Sequence, residues 1–268
     1  MPISTLILLI LLFFVTSAVG VVTGGNSLIT VPVMFAMGID EKTAIATNMF
    51  GLTFMAIGGA IPFLRQGKVD VKKLSPMIVL TIVGSAIGAA IVGLITNEAI
   101  KLIVTVSMIV VVFFIVFNDR AKKPKAAGEP SQAPDQADVS TNPSAHAGGS
   151  ALLGYALVFA LAIYGGLYSG GYVTVLTAVL IAFFGMTYAG SIAATKVLNV
   201  FSSSIATAVF IYQGLVNYRL GAILAVTMFA GAFVGAHYAT KMNEVWLRRI
   251  FLSAVLLLAV KTIIDFAV

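Results

Sequence analysis

The 268-residue chain has no cysteine, two histidines and one tryptophan, and only 10% of its residues are charged. The absence of cysteine excludes a disulfide framework, a thiolate metal site and a cysteine nucleophile, and it leaves the redox compartment open. Two histidines disfavour zinc catalysis. A soluble domain is roughly a quarter charged, so a chain with 10% charge and 60% hydrophobic residues is not a soluble globular protein.

What charge there is falls in narrow clusters. No Asp, Glu, Lys or Arg occurs from Met1 to Ile39, from Thr43 to Leu64, from Leu74 to Asn97 or from Ala151 to Thr195. A membrane crossing needs about 20 apolar residues. The first and last of these runs, 39 and 45 residues long, are each about twice that. The basic excess of +6 flanks the apolar runs, as positive-inside topology requires, so nucleic acid is not an expected partner. Met1 to Gly20 lacks the basic leader of a signal peptide, and the apolar run continues past it, so it reads as a retained segment.

Between Asn118 and Ser150 the composition changes. Pro124, Pro130, Pro134 and Pro143 stand among Ser, Gln, Asp and Ala, and apolar periodicity vanishes, which predicts a disordered linker. It divides the chain into a first membrane repeat, 1–117, and a second, 151–268. The halves resemble each other. Gln66-Gly67-Lys68-Val69-Asp70 matches Gln213-Gly214-Leu215-Val216-Asn217 at a spacing of 147, and Gly84 and Gly88 match Gly231 and Gly235 in the same register. Ala44-Ile45-Ala46-Thr47 aligns with Ser191-Ile192-Ala193-Ala194-Thr195 through a one-residue gap, and Gly38 aligns with Gly185. Internal duplication is the reading that accounts for polar loops and paired glycines together.

Each half then holds three ordinary spans: Thr43 to Leu64, Leu74 to Ile95 and Ile100 to Phe117, and Thr187 to Tyr212, Leu220 to Thr240 and Val245 to Phe266. Helix is the default, because backbone groups in lipid must be paired internally. An unbroken helix of 39 residues would extend nearly 60 Å, against a hydrocarbon core of roughly 30 Å. The over-long runs must therefore turn back, at Gly24-Gly25-Asn26-Ser27 and Ser169-Gly170-Gly171, where glycine permits a tight turn. Placing Arg65 to Lys73, the linker and Lys241 to Arg249 all in the cytoplasm makes the second run contribute zero or two crossings. The expected fold is an all-α polytopic membrane protein of two inverted repeats, each a broken or re-entrant helical segment followed by three transmembrane helices. Such repeats characterise many secondary transporters, with the substrate near the broken helices.

Lys196 stands about 13 Å along the helix axis from the nearer end of its span, too deep for easy snorkelling, with no carboxylate near it in sequence. Asn199 and Ser203 share its helical face, with Thr195 adjacent and Ser202 beside the face. Thr47 and Asn48 occupy the matching region of the first half without a charge. Short helices following Gly24 and Gly25, capped by Asn26 or Ser27, and following Ser169, Gly170 and Gly171 would present positive N-terminal ends that suit an anion. Tyr164 and Tyr168 are able to point hydroxyls at the same place. Asp70 and Asn217 read as helix caps, and the glycine pairs read as close-packing seams. No carboxylate lies deep within a span, which disfavours cation transport.

Gly24-Gly25-Asn26-Ser27-Leu28-Ile29-Thr30-Val31-Pro32, Ala46-Thr47-Asn48 and Arg65-Gln66-Gly67-Lys68-Val69-Asp70 resemble the first repeat of the TauE/SafE sulfite exporter family. Ala194-Thr195-Lys196-Val197-Leu198-Asn199, Ser202, Ser203 and Gly214-Leu215-Val216-Asn217 resemble its second. The resemblance implies an exporter of sulfite or organosulfonates such as sulfoacetate in the inner membrane, with proton coupling an open expectation. No enzymatic activity, cofactor or metal is expected. The partners are a small anion and the lipid bilayer, and a homodimer is compatible with the sequence. A passive anion channel, an importer of another small anion and a membrane scaffold subunit stand as alternatives at this point.

Overall fold

The computed structural model describes residues 3–65, 71–121 and 149–238, and every regular element among them is an α-helix. In chain order these are α1 Ile3–Thr23, α2 Ser27–Ala36, α3 Glu41–Arg65, α4 Ser75–Leu94, α5 Asn97–Ala121, α6 Gly149–Leu167, α7 Tyr172–Phe184, α8 Tyr188–Tyr212 and α9 Tyr218–Tyr238. The span expected over 245–266, the loop residues 66–70 with Asp70, most of the linker and Lys241 to Arg249 lie outside the described residues. One boundary shifts. α5 continues through Ala121, past the expected linker start at 118, and α6 begins at Gly149.

Segments Glu41–Pro62, Ser75–Leu94, Gly190–Tyr212 and Tyr218–His237 are long and apolar enough to cross a membrane. The exterior and interior agree with that solvent. Leu152 and Val226 turn outward at 74% and 73% exposure, whereas Asn48, Ser85, Thr195 and Lys196 are buried. Polar groups inside and apolar groups outside is the arrangement that lipid favours.

The helix starts are set by local chemistry. Asp40 accepts from the Thr43 amide at 3.1 Å, Thr187 from the Gly190 amide at 3.1 Å, and Asn217 from the Leu220 amide at 3.1 Å, as expected of Asn217. Each satisfies an amide that the first helical turn leaves without a partner. α4 opens on Ser75-Pro76, where a missing N–H costs nothing.

Both over-long runs break where expected. The first break, residues 24–26, passes through Gly24 at φ +79°, and the second, residues 168–171, through Ser169 at +68° and Gly171 at +77°. After the second break the chain turns back. Gly154 of α6 faces Phe183 and Phe184 of α7, and Gly165 faces Tyr172, so α7 runs antiparallel along α6. At the first break Asn26 folds back onto Gly20.

Glycine contacts set the direction of the long helices. Gly84 and Gly88 of α4 lie on Phe159 to Leu167 of α6, while Gly231 and Gly235 of α9 lie on Phe14 to Ala18 of α1, each pair advancing in the same direction. A side chain at any of these four positions would meet backbone atoms of the partner helix, which is why all four are glycine. α3 and α8 run opposite ways, since Thr47 meets Asn217 and Thr53 meets Thr207. The first helix of each half thus packs on a helix of the other, α1 on α9 and α6 on α4.

Candidate functional site

The breaks sit level with the middle of the two central helices. Along α3 the first break is bracketed by Ser27 against Asn48 and by Val21 against Gly59. Beyond the second break, α7 follows α8 from the Tyr172 hydroxyl, which lies beside Ser202 and Thr81 without closing a well-formed hydrogen bond to either, to Thr177 against Thr195. The breaks also touch each other. Gly24 packs on Val173 and Thr174, Gly170 packs on Leu28, and the Tyr168 hydroxyl donates to the Ser27 carbonyl at 3.1 Å. Tyr164 braces the second break from within by donating to the Gly170 carbonyl. Both tyrosines therefore aim their hydroxyls at the breaks.

Around the first break, Thr30 donates to Asn48 Oδ1 at 2.7 Å and Asn48 Nδ2 donates to Ser27 Oγ at 3.0 Å. Thr47 accepts from the Asn217 amide at 3.0 Å, tying α3 to the start of α9. The expected cap does not form. Asn26 occupies the position before α2 with helical φ and ψ of −50° and −49°, a geometry that keeps its side chain off the helix amides, and Ser27 Oγ is engaged by Asn48. Gly25 contributes its carbonyl to the Leu28 amide, and Ser169 its carbonyl to the Tyr172 amide.

On α8, Lys196 is 4% exposed and its ammonium makes no hydrogen bond or ion pair among the described residues. The carboxylates whose side chains are described, Asp40, Glu41 and Glu98, stand at or just before helix starts, and Glu41 is paired with Lys101 at 2.9 Å. Asn199 Oδ1 is buried and bare. Ser203 donates to the Asn199 carbonyl at 2.7 Å, so its proton is spent on its own helix. Thr207 lies on nearly the same face of α8 as Lys196, and it meets Thr53 at 3.0 Å, so this face is turned toward α3. Ser202 bonds Ser85 of α4 at 2.7 Å, an interhelical role.

Two hydrogen bonds recur at one offset between the halves. Thr30 to Asn48 and Thr177 to Thr195 are corresponding contacts, and both members are 147 residues apart. The gap after Ala46 is unnecessary: Asn48 corresponds to Thr195 and Met49 to Lys196. Thr30 and Thr177 were not singled out from sequence, although their spacing equals that of Gly84 and Gly231. Ser17, Thr81 and Tyr172, whose hydroxyls are buried without a well-formed bond, carry no such signal.

Two broken helices that touch each other, with a buried cation on the adjoining α8, suit a membrane transporter. Comparison with known proteins agrees. Residues 9–262 match the family model described as sulfite exporter TauE/SafE, and the chain belongs to that family. It is similar to a protein named probable membrane transporter protein ORF9 from Sinorhizobium sp., 24% identical over 94% of this chain and 90% of the relative. It is also similar to the probable membrane transporter protein YfcA of Escherichia coli K12, 26% identical over 97% and 91%. A probable membrane transporter protein of Haemophilus influenzae is 23% identical over 90% and 86%. No solved structure matches.

Proposed function

We propose that this transporter is a secondary carrier that exports a small sulfur oxyanion, sulfite or an organosulfonate, across the inner membrane, with the anion paired to Lys196. The observation that carries this reading is a buried lysine, next to the Thr195 that meets α7 at Thr177, for which the described residues supply no counter-charge. A buried charge without a partner is strongly disfavoured, and a substrate anion compensates it. Asn199 and Thr195 flank it on α8. Because the breaks are already in contact with each other, the anion sits alongside them against α8 rather than being clamped between them.

The antiparallel course of α3 and α8 and the common offset of 147 support two inverted repeats whose relative rocking gives alternating access. The linker is then cytoplasmic. Counterflow of sulfite in proteoliposomes tests the site: Lys196→Ala should lose affinity by at least about tenfold, and Lys196→Arg should retain part of it. Unchanged affinity in a folded Ala variant would refute the assignment. Flux under an imposed proton gradient, compared with flux under a membrane potential alone, identifies the coupling.

A further inference from the structure

Two asparagines stand at or beside the first break, and only one has both polar side-chain atoms engaged. Asn48 accepts from Thr30 and donates to Ser27. Asn26 is 3% exposed, yet both its Oδ1 and its Nδ2 are buried without a partner. With both atoms bare, the finding holds whichever way round the amide is placed. Asn26 lies against α1, where a Cβ on Gly20 would stand 2.9 Å from its own Cβ. One helical turn before Gly20, Ser17 is fully buried with its hydroxyl equally bare. Buried polar groups are ordinarily paired, and leaving one bare disfavours a state by a factor of roughly 5 to 150. The fold tolerates these three bare atoms near an asparagine whose two polar atoms both find partners.

We propose that Asn26, with Ser17, is a specificity-determining residue that reads a hydrogen-bond donor on the substrate: the transported anion carries an O–H or N–H group in addition to its charge. This rests on the reading of Lys196 as the counter-charge and narrows its substrate class. An ammonium only donates, so a fully ionised oxyanion satisfies Lys196 and Asn26 Nδ2 but leaves Oδ1 bare. A hydroxylated sulfonate, an aminosulfonate or a protonated oxyanion satisfies both ends. Connectivity links the two ends: the first break packs on Val173 and Thr174 of α7, and α7 reaches Thr195, the neighbour of Lys196, through Thr177. The charge is read by the second half and the donor by the first.

The matched probes are 2-hydroxyethanesulfonate and ethanesulfonate, equal in charge and head group and differing by one hydroxyl. Binding to purified full-length protein, read as a ligand-dependent thermal shift, should favour the hydroxylated probe by at least about tenfold, because a site built for a donor rejects the analogue that lacks it. In Asn26→Leu the preference should fall to within about twofold while the unliganded protein unfolds no earlier, since leucine fills a similar volume and leaves no bare amide. Asn26→Ser, which keeps a smaller polar group, should reduce the preference in part and serves if the leucine variant does not fold. A purely structural asparagine would instead lower stability and leave the ratio unchanged. Equal affinity of the wild type for both probes, binding of neither, or a ratio that survives the change at Asn26 overturns the proposal. Lys196→Ala should weaken both probes together; if it weakens neither, the site itself is wrong, independently of Asn26.

Discussion

Replacing Lys196 by methionine makes the second half match the first at this position, because Met49 occupies the corresponding site in α3 and is 1% exposed. Methionine is close to lysine in length and volume, so packing changes little while the charge is removed. A lysine at the bilayer centre costs roughly 2.5 to 3.5 kcal/mol on insertion scales. The described residues offset none of that with a carboxylate or a hydrogen bond to the ammonium. Discounting for partial hydration, Lys196→Met should stabilise the unliganded protein by about 1 to 3 kcal/mol. For a chain of this size each kcal/mol is worth roughly 2 to 4 °C in Tm. Thermal unfolding in detergent without ligand measures the gain, and counterflow in proteoliposomes should show transport lost in the same preparation. A variant that unfolds earlier than the wild type would refute the reasoning, because the ammonium would then be holding the fold together rather than waiting for an anion.

Other consequences follow from packing and capping. Gly88→Val should destabilise by at least about 2 kcal/mol, because its Cβ would collide with the Ile163 carbonyl of α6, and Gly235→Val should do the same against Ala18 of α1. Gly38→Ala, where nothing lies within 4 Å but φ is +75°, should cost only about 1 kcal/mol; equal losses at all three positions would contradict the seams. Tyr168→Phe removes the bond between the breaks, so a loss of about 1 kcal/mol with altered transport rate is expected in unfolding and flux assays. Asp40 lies outside the spans; burial raises its pKa, but hydrogen bonds from Thr43 and Asn97 outweigh this and hold the carboxyl below its usual range. Its stabilisation is therefore fully present above the ordinary value of about 3.9 and is lost as pH falls through the lower folded value. Asp40→Asn should unfold earlier than the wild type at neutral pH and converge with it in strong acid; a gap that widens in acid would reverse the sign.

Local composition decided much of this protein. Scarcity of charge specifies the solvent, run length against bilayer thickness specifies that residues 1–39 and 151–195 must break, and glycine at 24 and 171 specifies where, because these arguments need only neighbours in the chain. Lys196 was legible for the same reason: a cation in the middle of an apolar helix is anomalous whatever surrounds it. Tertiary structure alone decided what the polar groups do. Asn48 and Asn26 are the same residue type near the same break, and only contacts between α2, α3 and α1 saturate one and leave the other bare. The cap expected of Asn26 failed because its backbone is already helical, a property of how the chain folds back on Gly20 rather than of its identity. The matching contacts of Thr30 and Thr177, residues whose sequence context is unremarkable, show only where each meets its partner on the adjoining helix. Hydrophobic length acts along the chain and can be counted there, whereas hydrogen-bond satisfaction depends on which helices meet, and that is set only when the two halves pack.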